Sequence, residues 1–151
     1  MILFYHLTRS TAQETAATLL SRAADRGMRV MVRGTDKAAL ERLDMRLWVE
    51  PEDGFLPHGV EGGPQDAEQP ILIGTGAAAN GAVALMLMDG AEVDQDEARA
   101  MERVWVLFDG ADPAALNHAR GQWTRLTGLG LPAQYWSEDS GRWEKKAGKN
   151  E

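Results

Sequence analysis

Four residues between Leu116 and Arg125 have the chemistry to hold a charged ligand: His118, Arg120, Trp123 and Arg125. At 3.6 residues per turn, Leu116, Arg120, Trp123 and Thr124 share one face of a helix, with Thr127 next along it. Ala115, Ala119, Gln122 and Leu126 lie nearer the opposite, core-facing side. A guanidinium one turn from an indole can clamp a carboxylate bidentately while the indole covers an apolar side chain. The same spacing also fits an arginine lying over a half-buried tryptophan with no ligand at all. Arg142, Lys145, Lys146 and Lys149 could add steering charge or simply form a solvated end.

Other chemistry is thinner. The three histidines, His6, His58 and His118, show no metal-ligand spacing, and no metal site is expected. Gly74–Gly81, GTGAAANG, could offer amides to a phosphate, but no Lys-Ser/Thr follows, and it reads as a linker between strands. Asp89, Glu92, Asp94, Asp96 and Glu97 are acidic enough for a hydrolytic or Mg²⁺ site, yet they bracket a helix N-terminus, where acids favour the dipole. No serine stands in a nucleophile-elbow setting. No catalytic residue is assigned. The rival reading is a nucleotide-dependent or hydrolytic α/β enzyme built on the Gly74–Gly81 turn and the acids near Asp94.

The elements that must position these residues follow from periodicity. Ile2–His6 reads as a buried strand. Thr11 to Glu14 is a capping box opening a helix, and Gly27 is its stop. Met28–Val32 is a second strand. Thr35 or Asp36 caps a helix buried through Leu40, Leu43 and Leu47. The segment from Trp48 to Gln69 is rich in Pro, Gly and acids and reads as a long loop, carrying Trp48, Phe55, Leu56, Pro57 and His58. Large aromatics there can plug an edge or anchor a partner. Strands are expected at Ile71–Gly74, Ala82–Met88 and Arg103–Phe108, with a short helix capped by Asp94 between the last two. Asp112-Pro113 starts the last long helix, and Pro132–Trp136 reads as an edge strand. The strand–helix alternation favours a parallel sheet with helices packed on it.

The 151 residues include no cysteine, which excludes disulfides and thiolate chemistry and is compatible with the cytoplasm. No apolar run reaches the ~20 residues a membrane helix needs, and the N-terminus lacks signal-peptide features. The net charge of −7 is uneven: residues 1–43 carry seven Lys/Arg against four Asp/Glu, and residues 44–103 carry three against thirteen. An acidic middle argues against broad DNA binding.

Several landmarks together resemble the chi subunit family of bacterial DNA polymerase III. They are FYHL in the first strand, Leu47-Trp48 followed by Phe55-Leu56-Pro57-His58-Gly59, the ILI and ALMLMD strands, RVWVLFDG, the helix HARGQWTRLTGLG and the final QYW. The resemblance implies a three-layer α/β fold, mostly parallel, with helices on both faces and a nucleotide-binding-like topology that uses no nucleotide or other cofactor. It implies a clamp-loader accessory protein without catalysis and with two partners. One is the acidic, Phe-ending C-terminal tail of single-stranded-DNA-binding protein; the other is the psi subunit. DNA is then reached only indirectly, and no membrane is involved. The family's tail-binding arginine maps onto Arg120 and its following aromatic onto Trp123. Leu116 and Thr124 stand where further positive charge is expected, with Arg125, Lys145 or Lys146 as compensation. Trp48 and Phe55, with Leu56 and Pro57, map onto the psi-binding loop. Residues 1–143 are expected to form one domain and 144–151 a polar, flexible tail.

Overall fold

The computed structural model describes residues 1–49 and 56–151. Its centre is a single sheet of eight strands in the order β3-β4-β2-β5-β6-β1-β7-β8. These are β1 (Ile2–Leu7), β2 (Val30–Arg33), β3 (Gly59–Val60), β4 (Ile71–Gly74), β5 (Ala84–Leu87), β6 (Arg103–Asp109), β7 (Ala133–Ser137) and β8 (Glu144–Lys149). Every pairing is parallel except β7 with β8.

Both sheet faces are covered, which explains why the central strands read as unbroken apolar runs. Side chains alternate between faces along each strand. Leu3, Val30, Val32, Ile71, Ile73, Met86, Trp105 and Leu107 face α1 (Ala12–Asp25) and α2 (Lys37–Val49). Phe4, Met31, Leu72, Leu85, Leu87, Val104, Val106 and Phe108 face α3 (Gln95–Ala100) and α4 (Pro113–Gly128). The expected three-layer α/β architecture is therefore present.

The caps are the ones the residue types dictate. The Thr11 hydroxyl accepts from the Glu14 amide at 3.1 Å, and Asp94 accepts from the Glu97 amide at 2.7 Å. Asp36, rather than Thr35, caps α2 through the amides of Ala38 and Ala39, while the Thr35 hydroxyl donates to the Asp89 carbonyl. Gly27 ends α1 with φ +70°, a conformation that favours glycine.

Several expectations change: Trp48 and Val49, read as the start of the long loop, close α2, and Gly59–Val60 within it forms β3. Residues 144–149, read as part of a flexible tail, form β8, antiparallel to β7 from Ser137–Glu144 to Ala133–Lys149. Their sequence, EKKAGK, has no apolar alternation, and the strand exists because β7 offers an open edge. Consequently β7 is not the edge strand; the charged, lysine-rich β8 is, a composition that discourages further pairing. Pro132 stands just before β7, where no ladder donor is lost, and its carbonyl accepts from the Ile2 amide. Within the expected acidic loop, Asp66–Glu68 forms a short 3₁₀ turn, and the Asp66 carboxylate accepts from the amides of Gly62 and Gly63.

Candidate functional site: an aromatic cluster beside Arg120

Helix α4 lies on the sheet through Ala119, Gln122 and Leu126, all buried. Gln122 donates to the Ala91 carbonyl at 3.0 Å. That contact fixes the helix roll, so Leu116 and Trp123 sit half-buried at its flank while Arg120 and Thr124 are exposed. The Thr124 hydroxyl turns back to the Arg120 carbonyl at 3.1 Å and offers no free cationic or donor group in place of the missing charge.

Trp123 packs edge-on against Phe4 (5.4 Å) and Tyr135 (5.9 Å). Tyr135 in turn contacts Phe108 at 6.0 Å and stacks with Phe4 at 6.4 Å. Its hydroxyl lies 2.7 Å from His6 Nδ1. Burial pushes the Tyr135 phenol above its ordinary pKa, and the positive charge of Arg120 opposes that shift. The Arg120 side chain makes no hydrogen bond or ion pair among the described residues. A cation kept free beside an apolar aromatic surface can take a carboxylate while the rings cover an apolar group. Phe4, His6, Phe108 and Tyr135 escaped the sequence reading because the parallel register of β6, β1 and β7 assembles them.

Arg125 does not join this surface. Its guanidinium donates to Glu92 at 3.1 Å and to the Val93 carbonyl at 2.9 Å, tying α4 to the segment before α3. His118 likewise lies 2.9 Å from Glu92. Lys145 pairs with Glu151, and Lys146 with Asp139 and Glu144. Lys145 stands opposite Trp136, whose ring packs with the α1 face. Lys149 stands opposite Ala133, on the α4 side of the sheet that carries Tyr135, so it is the C-terminal cation on the same side as Arg120.

At the far end of α2, Met45, Trp48 and Val49 are 62%, 55% and 64% exposed at helical spacing, forming one apolar stripe. The Trp48 ring rests 4.7 Å from His58. His58 is buried, its Nδ1 donating to the Leu56 carbonyl at 2.7 Å and its Nε2 3.0 Å from the Asp44 carboxylate. Leu56 is buried and Pro57 exposed. Phe55 lies outside the described residues. An exposed apolar stripe braced by a buried polar anchor is the form of a protein contact surface.

The Gly-rich turn and the acids near Asp94 are engaged by the chain's own groups. The Thr75 amide and hydroxyl both donate to the Glu61 carboxylate, so the Gly-rich turn already holds an anion of its own. A Cβ on Gly74 would collide with that same carboxylate. Asp94 caps α3, and Glu97 forms a two-pronged pair with Arg33 at 2.7 Å. At the carboxyl ends of β5 and β6, where such folds bind nucleotides, a cleft of about 560 Å³ is lined by Asp89, Asp109 and Asp112. Burial, and then Asp36, raise the Asp89 pKa, with Arg42 opposing. Three carboxylates there repel a phosphate. No cluster of metal-ligating side chains occurs among the described residues, and no helix among them is long and apolar enough to cross a membrane.

Comparison with known proteins agrees with the resemblance drawn from the residues. Residues 1–134 match the family model "DNA polymerase III chi subunit, HolC". The chain is 34% identical over 67 residues to DNA polymerase III subunit chi of Pseudomonas aeruginosa, covering 44% of this chain and 46% of that relative. The aligned segment thus spans about half the length of the curated relative. The chain belongs to the DNA polymerase III chi subunit family, the replication accessory subunits.

Proposed function

We propose that this chi-family chain is a non-catalytic adaptor of the cytoplasmic replisome. It links the clamp loader to single-stranded-DNA-binding protein by holding that protein's acidic, Phe-ending C-terminal tail. The observation that carries the reading is Arg120, whose side chain has no hydrogen bond or ion pair among the described residues, one turn from Trp123 in the Trp123–Tyr135 aromatic surface. Arg120 takes the terminal carboxylate or an acidic side chain, Trp123 and Leu116 cover the apolar end, and Lys149 supplies long-range attraction. The stripe of Met45, Trp48 and Val49, together with the exposed Pro57, receives the second partner, a psi subunit or its equivalent.

Titration with an acidic peptide ending in Ile-Pro-Phe tests this reading. Micromolar binding, roughly −8 kcal/mol, is expected for the wild type. Arg120→Ala should weaken it at least ~10-fold, as loss of a charged partner costs a kcal/mol or more. Equal binding by both proteins removes Arg120 from the site, and absence of binding by either overturns the adaptor reading.

A further inference from the structure

On the opposite face of the sheet, α1, β1, β7 and the start of β8 enclose a cleft of about 320 Å³, the size of a small-ligand site. Its walls are aromatic. Tyr5 comes from β1, Trp136 from β7, and Trp143 from the residue before β8. Trp143 meets Tyr5 edge-on at 5.0 Å and is 37% exposed, leaving part of its ring surface open to the cleft. Leu19 closes the wall from α1.

The charges in the cleft are separated. The side chain of Arg22, in the last turn of α1, makes no hydrogen bond or ion pair among the described residues. Glu14 lines the other end, eight residues earlier on the same helix, about 12 Å away at the helical rise. Burial pushes the Tyr5 phenol above its ordinary pKa, and the charges of Arg103, on the neighbouring strand, and Arg22 oppose that shift. The acidic middle of the chain does not surround this cleft. Residues 44–103 build the end of α2, β3, β4, β5, α3 and the first residue of β6, whereas the cleft is lined by residues 5–22 and 136–143.

Aromatic faces that accept any base, with a free guanidinium beside them, are the parts from which sequence-tolerant nucleotide binding is made. We infer that this cleft binds a nucleotide unit, its base stacked on Trp143 and its phosphate held by Arg22. Glu14, at the far end, accepts from a base N–H, the ring N3–H in thymine, and keeps phosphate at the Arg22 end. The unit comes either from a single strand or from a free mononucleotide; the chemistry is the same. The site is independent of Arg120 and of the adaptor reading, because it lies on the other side of the sheet.

The test is binding of fluorescein-labelled oligothymidylate by anisotropy, with dTMP titrated separately and followed by tryptophan quenching. Trp143→Ala, Arg22→Gln and Arg120→Ala are compared after each is shown to keep the wild-type melting temperature. Trp143→Phe serves if the alanine variant fails to fold. Oligonucleotide or dTMP binding weakened at least ~5-fold by the Trp143 and Arg22 variants, and unchanged by Arg120→Ala, supports the inference. Binding of the oligonucleotide alone identifies the source as a single strand, and saturation by dTMP identifies a free nucleotide. Absence of binding by both probes at millimolar concentration, or affinities indifferent to Trp143 and Arg22, overturns it.

Discussion

Nδ1 of His6 and the hydroxyl of Tyr135 meet at 2.7 Å, joining two strands that are 129 residues apart in sequence. The contact needs room, and Gly110 provides it: a Cβ there would overlap the His6 ring. Gly110→Ala should therefore turn His6 away from Tyr135 and cost about 1–3 kcal/mol, the usual penalty for overpacking. Tyr135→Phe, which keeps the ring and removes only the hydrogen bond, should cost about 1 kcal/mol. Urea denaturation of both variants reads this out. A neutral Gly110→Ala would show that His6 has another low-energy position.

Stability and ligand binding should separate along α4. Trp123 is wedged between Phe4 and Tyr135, so Trp123→Ala should lose about 2–3 kcal/mol of stability together with tail-peptide affinity. Arg120→Ala should lose affinity while its stability changes by less than about 0.5 kcal/mol, since the side chain is exposed. Arg125→Ala should leave affinity unchanged, because its guanidinium is tied to Glu92 and Val93. Calorimetric titration of the three variants, paired with their denaturation curves, decides whether the pattern holds. A tenfold loss in Arg125→Ala would mean that Arg125 leaves Glu92 to join the ligand.

What could be read without coordinates was whatever is local. Thr11, Asp94 and Asp112 mark helix starts because capping uses amides two or three residues away, and Gly27 marks an end because its positive φ favours glycine. The two-sided burial of β2, β4 and β5 follows from their apolar runs. Register-dependent features were not legible. β8 is a strand only because β7 has an edge to pair, and nothing in EKKAGK announces it. The helical wheel shows which way Arg125 leaves α4, but not that Glu92 waits there. The same limit hid Glu61 beneath the Gly-rich turn: its partner Thr75 is 14 residues on, across the β3–β4 pair.

The C-terminal segment does more than cover β7. Asn150, with φ +59°, donates its side-chain amide to the carbonyls of Thr127 at 2.9 Å and Leu131 at 3.0 Å, capping the end of α4. Asn150→Ala should cost about 1 kcal/mol through those two acceptors. Removal of residues 144–151 should cost more and should weaken tail-peptide binding, since it exposes the β7 edge and removes Lys149. Thermal melts of the full chain, the point variant and the truncated chain test the order. A truncated chain as stable as the full one would restore the reading of this segment as a free tail.

Glu138 is the buried carboxylate that ties this end of the chain to the start of α1. It accepts from the amides of Thr8, Arg9 and Ser10 at 3.1, 2.8 and 2.6 Å, and from the Ser10 hydroxyl at 2.9 Å. Burial alone would raise its pKa, but the hydrogen bonds from Ser10, Arg9 and Thr8 outweigh burial and hold it below its ordinary value of 4.5. A depressed folded-state pKa adds stability that is fully present above the unfolded-state value and lost as pH falls through the folded-state value. Glu138→Gln should therefore cost about 1–3 kcal/mol at neutral pH. The gap between wild type and variant should narrow below about pH 4.5 as protonation removes the same charge from the wild type. Denaturant unfolding of both proteins from neutral pH into the acid range measures it. A gap that stays constant to the acid limit would show that packing around residue 138, rather than its charge, holds the two ends together.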